Sequence, residues 1–153
     1  MALYLVQHGK CLTKDVDPEK GLSQEGIAEV RRIAEVAKGY NIKPAAIGHS
    51  GKKRARQTAE IFSEALAPPE ALRQVEGIKP LDDVTIFASE LEAGRTVMLV
   101  GHLPFMERLC SFLITGSIEP PVFKFQNGGI VCLERFPENG NWAIQWTLMP
   151  NIS

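Results

Sequence analysis

Two histidines stand just after short apolar stretches of this sequence. His8 follows the stretch Leu3–Val6 with one residue between them, and His102 follows residues 96–100 with one glycine between them. Short apolar runs with β-branched residues are typical of strands that are buried on both faces of a sheet. Because open α/β sheets bind ligands at the carboxyl ends of their strands, we expect the two imidazoles to face each other across a crevice there. A neutral imidazole in that position can act as a nucleophile.

A third stretch is expected to bring cations to the same edge. Residues 45–48 predict a short strand, and the residues after it predict a helix whose first turn is basic. Arg54 in that turn can present a planar pair of donors to phosphoryl oxygens, and the amino terminus of a helix attracts anions. Nearby cations also disfavour an imidazolium, which helps to keep His8 neutral. A neutral nucleophile among positive donors is what phosphoryl transfer requires.

Together these stretches resemble the histidine phosphatase superfamily, and the short chain is most similar to its SixA-type phosphohistidine phosphatases. The resemblance runs from Leu3 to about Pro150 and rests on three motifs, which are Gln7-His8-Gly9, Ser-x-x-x-Arg-Ala-x-Gln-Thr-Ala over 50–59, and Gly101-His102-x-Pro104. It implies a three-layer α/β/α sandwich of the phosphoglycerate mutase type. It also implies a phosphatase that removes the phosphoryl group from phosphohistidine on a carrier protein, with no metal and no cofactor.

The resemblance also implies roles for single residues. His8 matches the histidine that becomes phosphorylated, Arg54 matches a phosphate-binding arginine, and His102 matches a second histidine that contacts the phosphoryl group. The residues expected to bind phosphate are Gln7, Gly9, Lys10, Ser50, Arg54 and His102. For Ser50, capping of the helix is the main expectation and contact with phosphate is the alternative. His49 is expected only to line the rim of the site.

One position departs from the family pattern. The family's first motif is Arg-His-Gly, whereas this chain has Gln7 before His8. A glutamine amide is neutral and shorter than a guanidinium, so we expect a slower enzyme, with Lys10 or Lys52 recovering part of the loss as a point charge. The alternative is a module on the same scaffold that binds a phosphoryl group but turns it over poorly.

Residues 68–94 are short compared with the insertions that cover the site in larger branches of the superfamily. Glu76, Asp82 and Asp83 are the candidates for a proton donor in this segment, although helix capping explains the two aspartates equally well. A short chain without a lid predicts an open site, which suits a phosphoryl group carried on a protein. A small-molecule phosphomonoesterase remains an alternative. A metal hydrolase built on the three histidines has no recognised ligand spacing to support it.

The order of predicted elements is strand and helix in repetition, followed by a hairpin. Crossover helices imply a parallel sheet covered on both faces, and the hairpin adds an antiparallel edge. The predicted strands are 3–6, 45–48, 72–75, 96–100, 130–136 and 142–149, and the helices follow Ser23, Ser50, Asp82-Asp83 and Leu103, ending near Gly39, Pro68, Gly94 and Gly116. Asn139-Gly140 predicts the hairpin turn. We expect one domain over 1–153.

Composition narrows the function further. A net charge of −1 gives no argument for a nucleic acid or an anionic membrane as partner. Three widely spaced cysteines favour neither a disulfide framework nor a structural zinc site and suit a reducing compartment. The sequence has no apolar run near the ~20 residues of a membrane span and no signal peptide. The cysteine pattern favours the cytoplasm, a monomer is the default expectation, and the resemblance implies a phosphohistidine-bearing protein as the partner.

Overall fold

A six-stranded sheet organises the computed structural model, which describes residues 2–92 and 94–152. The strands are β1 (Ala2–Gln7), β2 (Ala46–His49), β3 (Arg73–Gln74), β4 (Val97–Gly101), β5 (Ile130–Arg135) and β6 (Trp142–Leu148). The helices are α1 (Gln24–Gly39), α2 (Lys53–Leu66), α3 (Val84–Ser89) and α4 (Phe105–Thr115). Among the described residues, no helix has the length and apolar character that a bilayer crossing needs.

The strand order is β3-β2-β4-β1-β5-β6. It puts β1 and β4, the strands that precede His8 and His102, side by side. β1 and β4 are parallel neighbours, with Gln7 opposite Gly101, and β2 is the parallel neighbour of β4 on the other side. The His8 amide then donates to the Gly101 carbonyl at 2.9 Å. The carboxyl ends of β1, β2 and β4 therefore meet at one edge of the sheet, as the strand pattern predicts.

Alternate residues of β1 enter two separate cores. Tyr4 and Val6 pack with α1 and α2 on one face, whereas Leu3 and Leu5 pack with α3 and α4 on the other. β5 runs antiparallel to β1, and β6 runs antiparallel to β5. The predicted three-layer α/β/α fold with a mostly parallel sheet and an antiparallel hairpin is confirmed.

Local signals account for the start of α1 and the end of α4. The Ser23 hydroxyl accepts from the Gly26 amide and caps α1. Gly116 adopts the left-handed conformation that ends α4. The buried stripe of α2 consists of the five residues expected from its spacing, which are Ala55, Thr58, Ala59, Phe62 and Leu66.

The end of α3 and the start of α4 differ from the sequence prediction. α3 is a short helix that Asp83 caps and that ends at Ser89 instead of continuing to Gly94. Val84 and Phe87 are its buried residues, while Ile86 is 60% exposed, because one and a half turns present only a narrow face to the core. The second difference is that Pro104 is the residue before α4, not its first helical residue.

Candidate active site

His8 lies at the end of β1 with its ring in a defined orientation. Its Nδ1 atom is 2.7 Å from the Gly9 carbonyl oxygen, which can only accept, so Nδ1 carries the proton. The other ring nitrogen, Nε2, therefore keeps its lone pair, and Arg54 Nε donates to it at 3.3 Å. The His8 backbone is also held, because the side-chain amide of Asn127 donates to the His8 carbonyl at 2.9 Å.

Thr58 joins the His8 segment to the helix that carries Arg54. Its hydroxyl accepts from the Gly9 amide at 2.9 Å and donates to the Arg54 carbonyl at 2.8 Å. Gly9 also packs tightly, since a Cβ added there would lie 2.7 Å from Val30 of α1. One buried hydroxyl thus sets the position of Arg54 relative to His8.

His102 follows β4 and is almost completely buried, with 1% of its surface exposed. The centroid of its ring lies 5.1 Å from that of His8. Its Nε2 atom is 2.6 Å from the Ser50 hydroxyl, whereas Nδ1 is buried without a hydrogen-bond partner among residues 2–92 and 94–152. Unpaired buried nitrogens of this kind are rare and are often found at functional sites.

The capping role expected of Ser50 is wrong. α2 begins two residues later than that role requires, and its capping residue is Lys52, whose side chain does not cap. The Ser50 hydroxyl reaches the Lys52 amide only at 3.4 Å and makes its short contact with His102. Ser50 therefore lies within the cluster as a partner of His102.

Burial and cations keep both site imidazoles neutral near pH 7. The pKa of His8 is lowered to about 4, mainly by desolvation and in smaller part by the positive charges of Arg54 and Lys20, while the hydrogen bond to the Gly9 carbonyl acts in the opposite direction. Desolvation likewise lowers the pKa of His102 to about 3, with smaller contributions from His8, Arg54 and Lys52. Neutral His8 keeps Nε2 unprotonated, as nucleophilic attack on phosphorus requires.

These two histidines should make the fold sensitive to mild acid. Both pKa values lie below the usual 6.5, so between these values the unfolded chain binds more protons than the folded chain. The contribution of the two neutral rings to the free energy of unfolding is fully present above pH 6.5 and is lost as the pH decreases toward their folded pKa values. From pH 7 to pH 5 we expect the free energy of unfolding to drop by about 2 kcal/mol for each histidine. Urea unfolding at both pH values measures this change, and His102→Asn should reduce it.

Lys10 and Lys52 are the two lysines expected to compensate for Gln7. Lys10 forms ion pairs with acidic residues of α1. Its ammonium is 2.8 Å from the Glu25 carboxylate and 3.4 Å from that of Glu29. As a phosphate ligand Lys10 would have to leave both carboxylates. Lys52 stands at the start of α2, where its charge acts on His102.

Gln7 itself is anchored by its backbone, because its carbonyl accepts from the Gly128 amide at 2.8 Å. The side-chain oxygen Oε1 is buried and has no hydrogen-bond partner in the described part of the chain. A buried acceptor without a donor carries a desolvation cost that a bound donor would relieve. The side chain therefore has unused hydrogen-bonding capacity next to His8.

The remaining candidates lie outside this cluster or have structural roles. His49 Nδ1 accepts from the Gly51 amide at 3.0 Å. Glu76 is exposed, and its carboxylate accepts from Gln74 at 3.4 Å. Asp83 caps α3, and Asp82 accepts from the Lys79 amide at 2.8 Å. Within the described ranges, no three His, Cys, Asp or Glu side chains form a group that could hold a metal ion.

Sequence reasoning missed Asn127. It lies 119 positions after His8, in the loop before β5, and its side chain secures the His8 backbone. The polar run Gln126-Asn127 and the two following glycines interrupt an apolar segment there, which was the only available signal. Thr58 was expected only as a core residue, because its spacing fits the buried stripe of α2.

Comparison with known proteins identifies the family of this chain. The model of the histidine phosphatase superfamily (branch 1) matches residues 3–82, which is just over half of the chain. The chain belongs to the histidine phosphatase superfamily. Membership in this superfamily of phosphatases supports hydrolase activity. A search of curated protein sequences gives no match.

Solved structures of superfamily members include SixA proteins. The protein histidine phosphatase SixA complexed with tungstate is 26% identical, with a TM-score of 0.84 over 98% of this chain and 97% of that one. A protein assigned as the phosphohistidine phosphatase SixA of Agrobacterium tumefaciens is 25% identical, with a TM-score of 0.77 over 97% of both chains. Phosphoserine phosphatase of Entamoeba histolytica shares the fold, at 15% identity and a TM-score of 0.71 over 96% of both chains.

Proposed function

We propose that this chain is a phosphohistidine phosphatase that acts on a phosphorylated protein through a covalent intermediate on His8. The observation that carries the proposal is the unprotonated Nε2 atom of His8, whose lone pair accepts from Arg54 Nε at 3.3 Å. His102 supplies a second neutral ring, 5.1 Å from His8 between centroids. A nucleophile with fixed donors around it meets the main demands of phosphoryl transfer.

In the first step the lone pair of His8 Nε2 forms a bond to phosphorus, and the bond from phosphorus to the substrate imidazole breaks. The leaving nitrogen keeps the electron pair and takes a proton from water. The ring of His8 becomes positively charged, so its Nδ1 proton is donated more strongly to the Gly9 carbonyl. Arg54 neutralises charge that develops on the phosphoryl oxygens.

In the second step a water oxygen bonds to phosphorus, and the bond between phosphorus and His8 Nε2 breaks. The electron pair returns to Nε2, and a proton of the attacking water passes to solvent. Inorganic phosphate leaves, and His8 is again neutral with its proton on Nδ1. Because each leaving group in this cycle is an imidazole nitrogen, the cycle depends less on a dedicated carboxylic acid. The exposed position of Glu76 is compatible with that chemistry.

Two observations support a protein-borne phosphohistidine as the substrate. The first is the 26% identity to the protein histidine phosphatase SixA over nearly the whole of both chains. The second is that the elements between α2 and β4 do not cover the site. They are β3, which belongs to the sheet, and α3, which belongs to a helical layer. Helix α3 packs into the core through Val84 and Phe87, and the Phe87 ring lies 5.8 Å from that of Phe105 in α4. This helix is therefore part of the layer and does not form a lid.

A substrate panel tests this proposal. The chain is incubated with a histidine-phosphorylated carrier protein, with phosphoserine and with p-nitrophenyl phosphate, and phosphate release is followed. We expect kcat/KM to be at least about tenfold higher for the carrier protein. Faster release from a small phosphoester would make the chain a small-molecule phosphomonoesterase. Binding of the carrier without phosphate release would make it a phosphoryl-binding module.

Gln7 is the specific observation that favours the binding-module alternative. Loss of one preorganised donor to developing charge costs about 2.7–4 kcal/mol of transition-state stabilisation. We expect Gln7→Arg to raise turnover of phosphohistidine protein by at least about tenfold. The gain is smaller than the full loss because lysines near the site already recover part of the missing stabilisation. Single-turnover phosphate release measures the change. Gln7→Leu serves as the control, because it keeps the approximate size of the side chain without adding a donor. An unchanged rate in Gln7→Arg would contradict this account of Gln7.

A further inference from the structure

Two lysines of the loop between His8 and α1, Lys14 and Lys20, have no carboxylate partner among the described residues, and of the two only Lys20 is half-buried. Lys10 binds Glu25 and Glu29, and Lys53 binds Asp17 at 2.9 Å. Lys20, in contrast, has no ion pair with any residue in the ranges 2–92 and 94–152. Lys20 is also half-buried, so its charge is screened less than that of a fully exposed lysine.

Asp17 holds the backbone on both sides of Lys20. Its carboxylate accepts from the Glu19 amide at 3.0 Å and from the Gly21 amide at 2.9 Å. Its backbone carbonyl accepts from the Lys20 amide at 2.8 Å. Lys20 itself has a φ angle of 54°, in the left-handed region. Non-glycine residues adopt this conformation only where the surroundings impose it, so the direction in which Lys20 leaves the loop is fixed.

The same loop is bound to the first turns of α2. The ammonium of Lys53 joins Asp17, and the Leu22 amide donates to Gln57 at 2.7 Å. Gly21 is packed so closely that an added Cβ would lie 2.9 Å from Lys53 and 3.1 Å from Gln57. Arg54 extends from this same turn to His8. The loop is therefore held beside the turn that supplies the phosphate-binding arginine.

We propose that Lys20 is a further phosphoryl-binding residue, supplying next to His8 the positive charge that the superfamily motif places at position 7. An ammonium has three donors and can serve phosphate as a point charge, without the planar geometry of a guanidinium. The inference rests on the proposed function, since it assigns a ligand to the same phosphoryl group. The charge of Lys20 already acts at the site, where it contributes to the low pKa of His8.

Lys20→Met tests the assignment, with Lys14→Met as the control. Methionine keeps an unbranched side chain at the left-handed position, and Lys14 is an exposed lysine of the same loop. Tungstate serves as a tetrahedral oxyanion probe that needs no turnover. We expect Lys20→Met to weaken tungstate binding about tenfold and Lys14→Met to change it less than about twofold. The NMR-measured pKa of His8 should also rise in Lys20→Met, because a nearby positive charge has been removed.

A double-mutant cycle with Gln7→Arg separates this role from a structural one. If Lys20 supplies the missing charge, Lys20→Met should lower turnover about tenfold in the parent and much less in the Gln7→Arg background. Equal effects in both backgrounds, or unchanged tungstate affinity in Lys20→Met, would overturn the assignment. Weakened tungstate binding in a chain that turns over no phosphohistidine would support Lys20 as a ligand while contradicting the proposed function.

Discussion

The variant His8→Ala is expected to lose phosphatase turnover by at least on the order of 10³-fold. The reason is chemical, because the substitution removes Nε2, the unprotonated ring nitrogen that contacts Arg54 and is the proposed nucleophile. Phosphate release from a histidine-phosphorylated carrier protein measures the effect. The variant should remain folded, since the His8 ring is only half-buried and lies after the end of β1.

Two controls make the His8 result specific. His49→Ala removes another histidine at a strand end, one whose contact is the Gly51 amide, and it should keep most of the parental turnover. Added imidazole should partly restore turnover in His8→Ala, because it can enter the space left by the ring and accept the phosphoryl group. Parental turnover in His8→Ala without imidazole would contradict the assigned role of His8.

Arg54→Ala should lower turnover by about 10²- to 10³-fold, as expected for the loss of a preorganised donor to the phosphoryl oxygens. Arg54 Nε also donates to His8 Nε2, so the variant should additionally leave the His8 ring less well positioned. Arg54→Lys should recover only part of the loss, because an ammonium lacks the planar pair of donors. Steady-state kinetics with the carrier protein measures kcat and KM separately.

Arg56→Ala is the matched control for Arg54→Ala. Arg56 lies two positions along the same helix, and its guanidinium pairs with Glu60 one turn away, at 3.2 Å, on the exposed surface. Its removal should change stability by less than about 1 kcal/mol and leave turnover close to the parental value. If both arginine variants lose turnover in proportion to lost folded protein, Arg54 has a structural role only.

The parts of the fold that follow from periodicity could be predicted from the sequence. Apolar runs before His8 and His102 place both residues at strand ends, and parallel pairing of β1 with β4 brings their rings together. The buried stripe of α2 fits helical spacing, so the position of Arg54 in the first turn also follows. These features depend on short local patterns of apolar and polar residues, which can be recognised in the sequence itself.

Other parts of the site depend on side-chain contacts between distant segments. Lys10 was a candidate phosphate ligand from its position in the first motif, yet its side chain pairs with Glu25 and Glu29. Asn127 reaches the His8 backbone from a loop before β5. The placement of Lys20 depends on Asp17 and on a left-handed backbone that no local pattern predicts. Such contacts arise from the tertiary structure and have no periodic signal.

The most direct test of a covalent mechanism is to trap the phosphorylated chain. Histidine-phosphorylated carrier protein is mixed with enzyme, the reaction is stopped in alkali within the first turnover, and peptides are analysed by mass spectrometry. The mechanism predicts one phosphoryl group on His8, stable in base and labile in acid, which forms and decays at rates consistent with turnover. The label should be absent from His8→Ala. Phosphate release by the parent chain with no phosphorylated His8 at any time, or with the label on another residue, would contradict the mechanism.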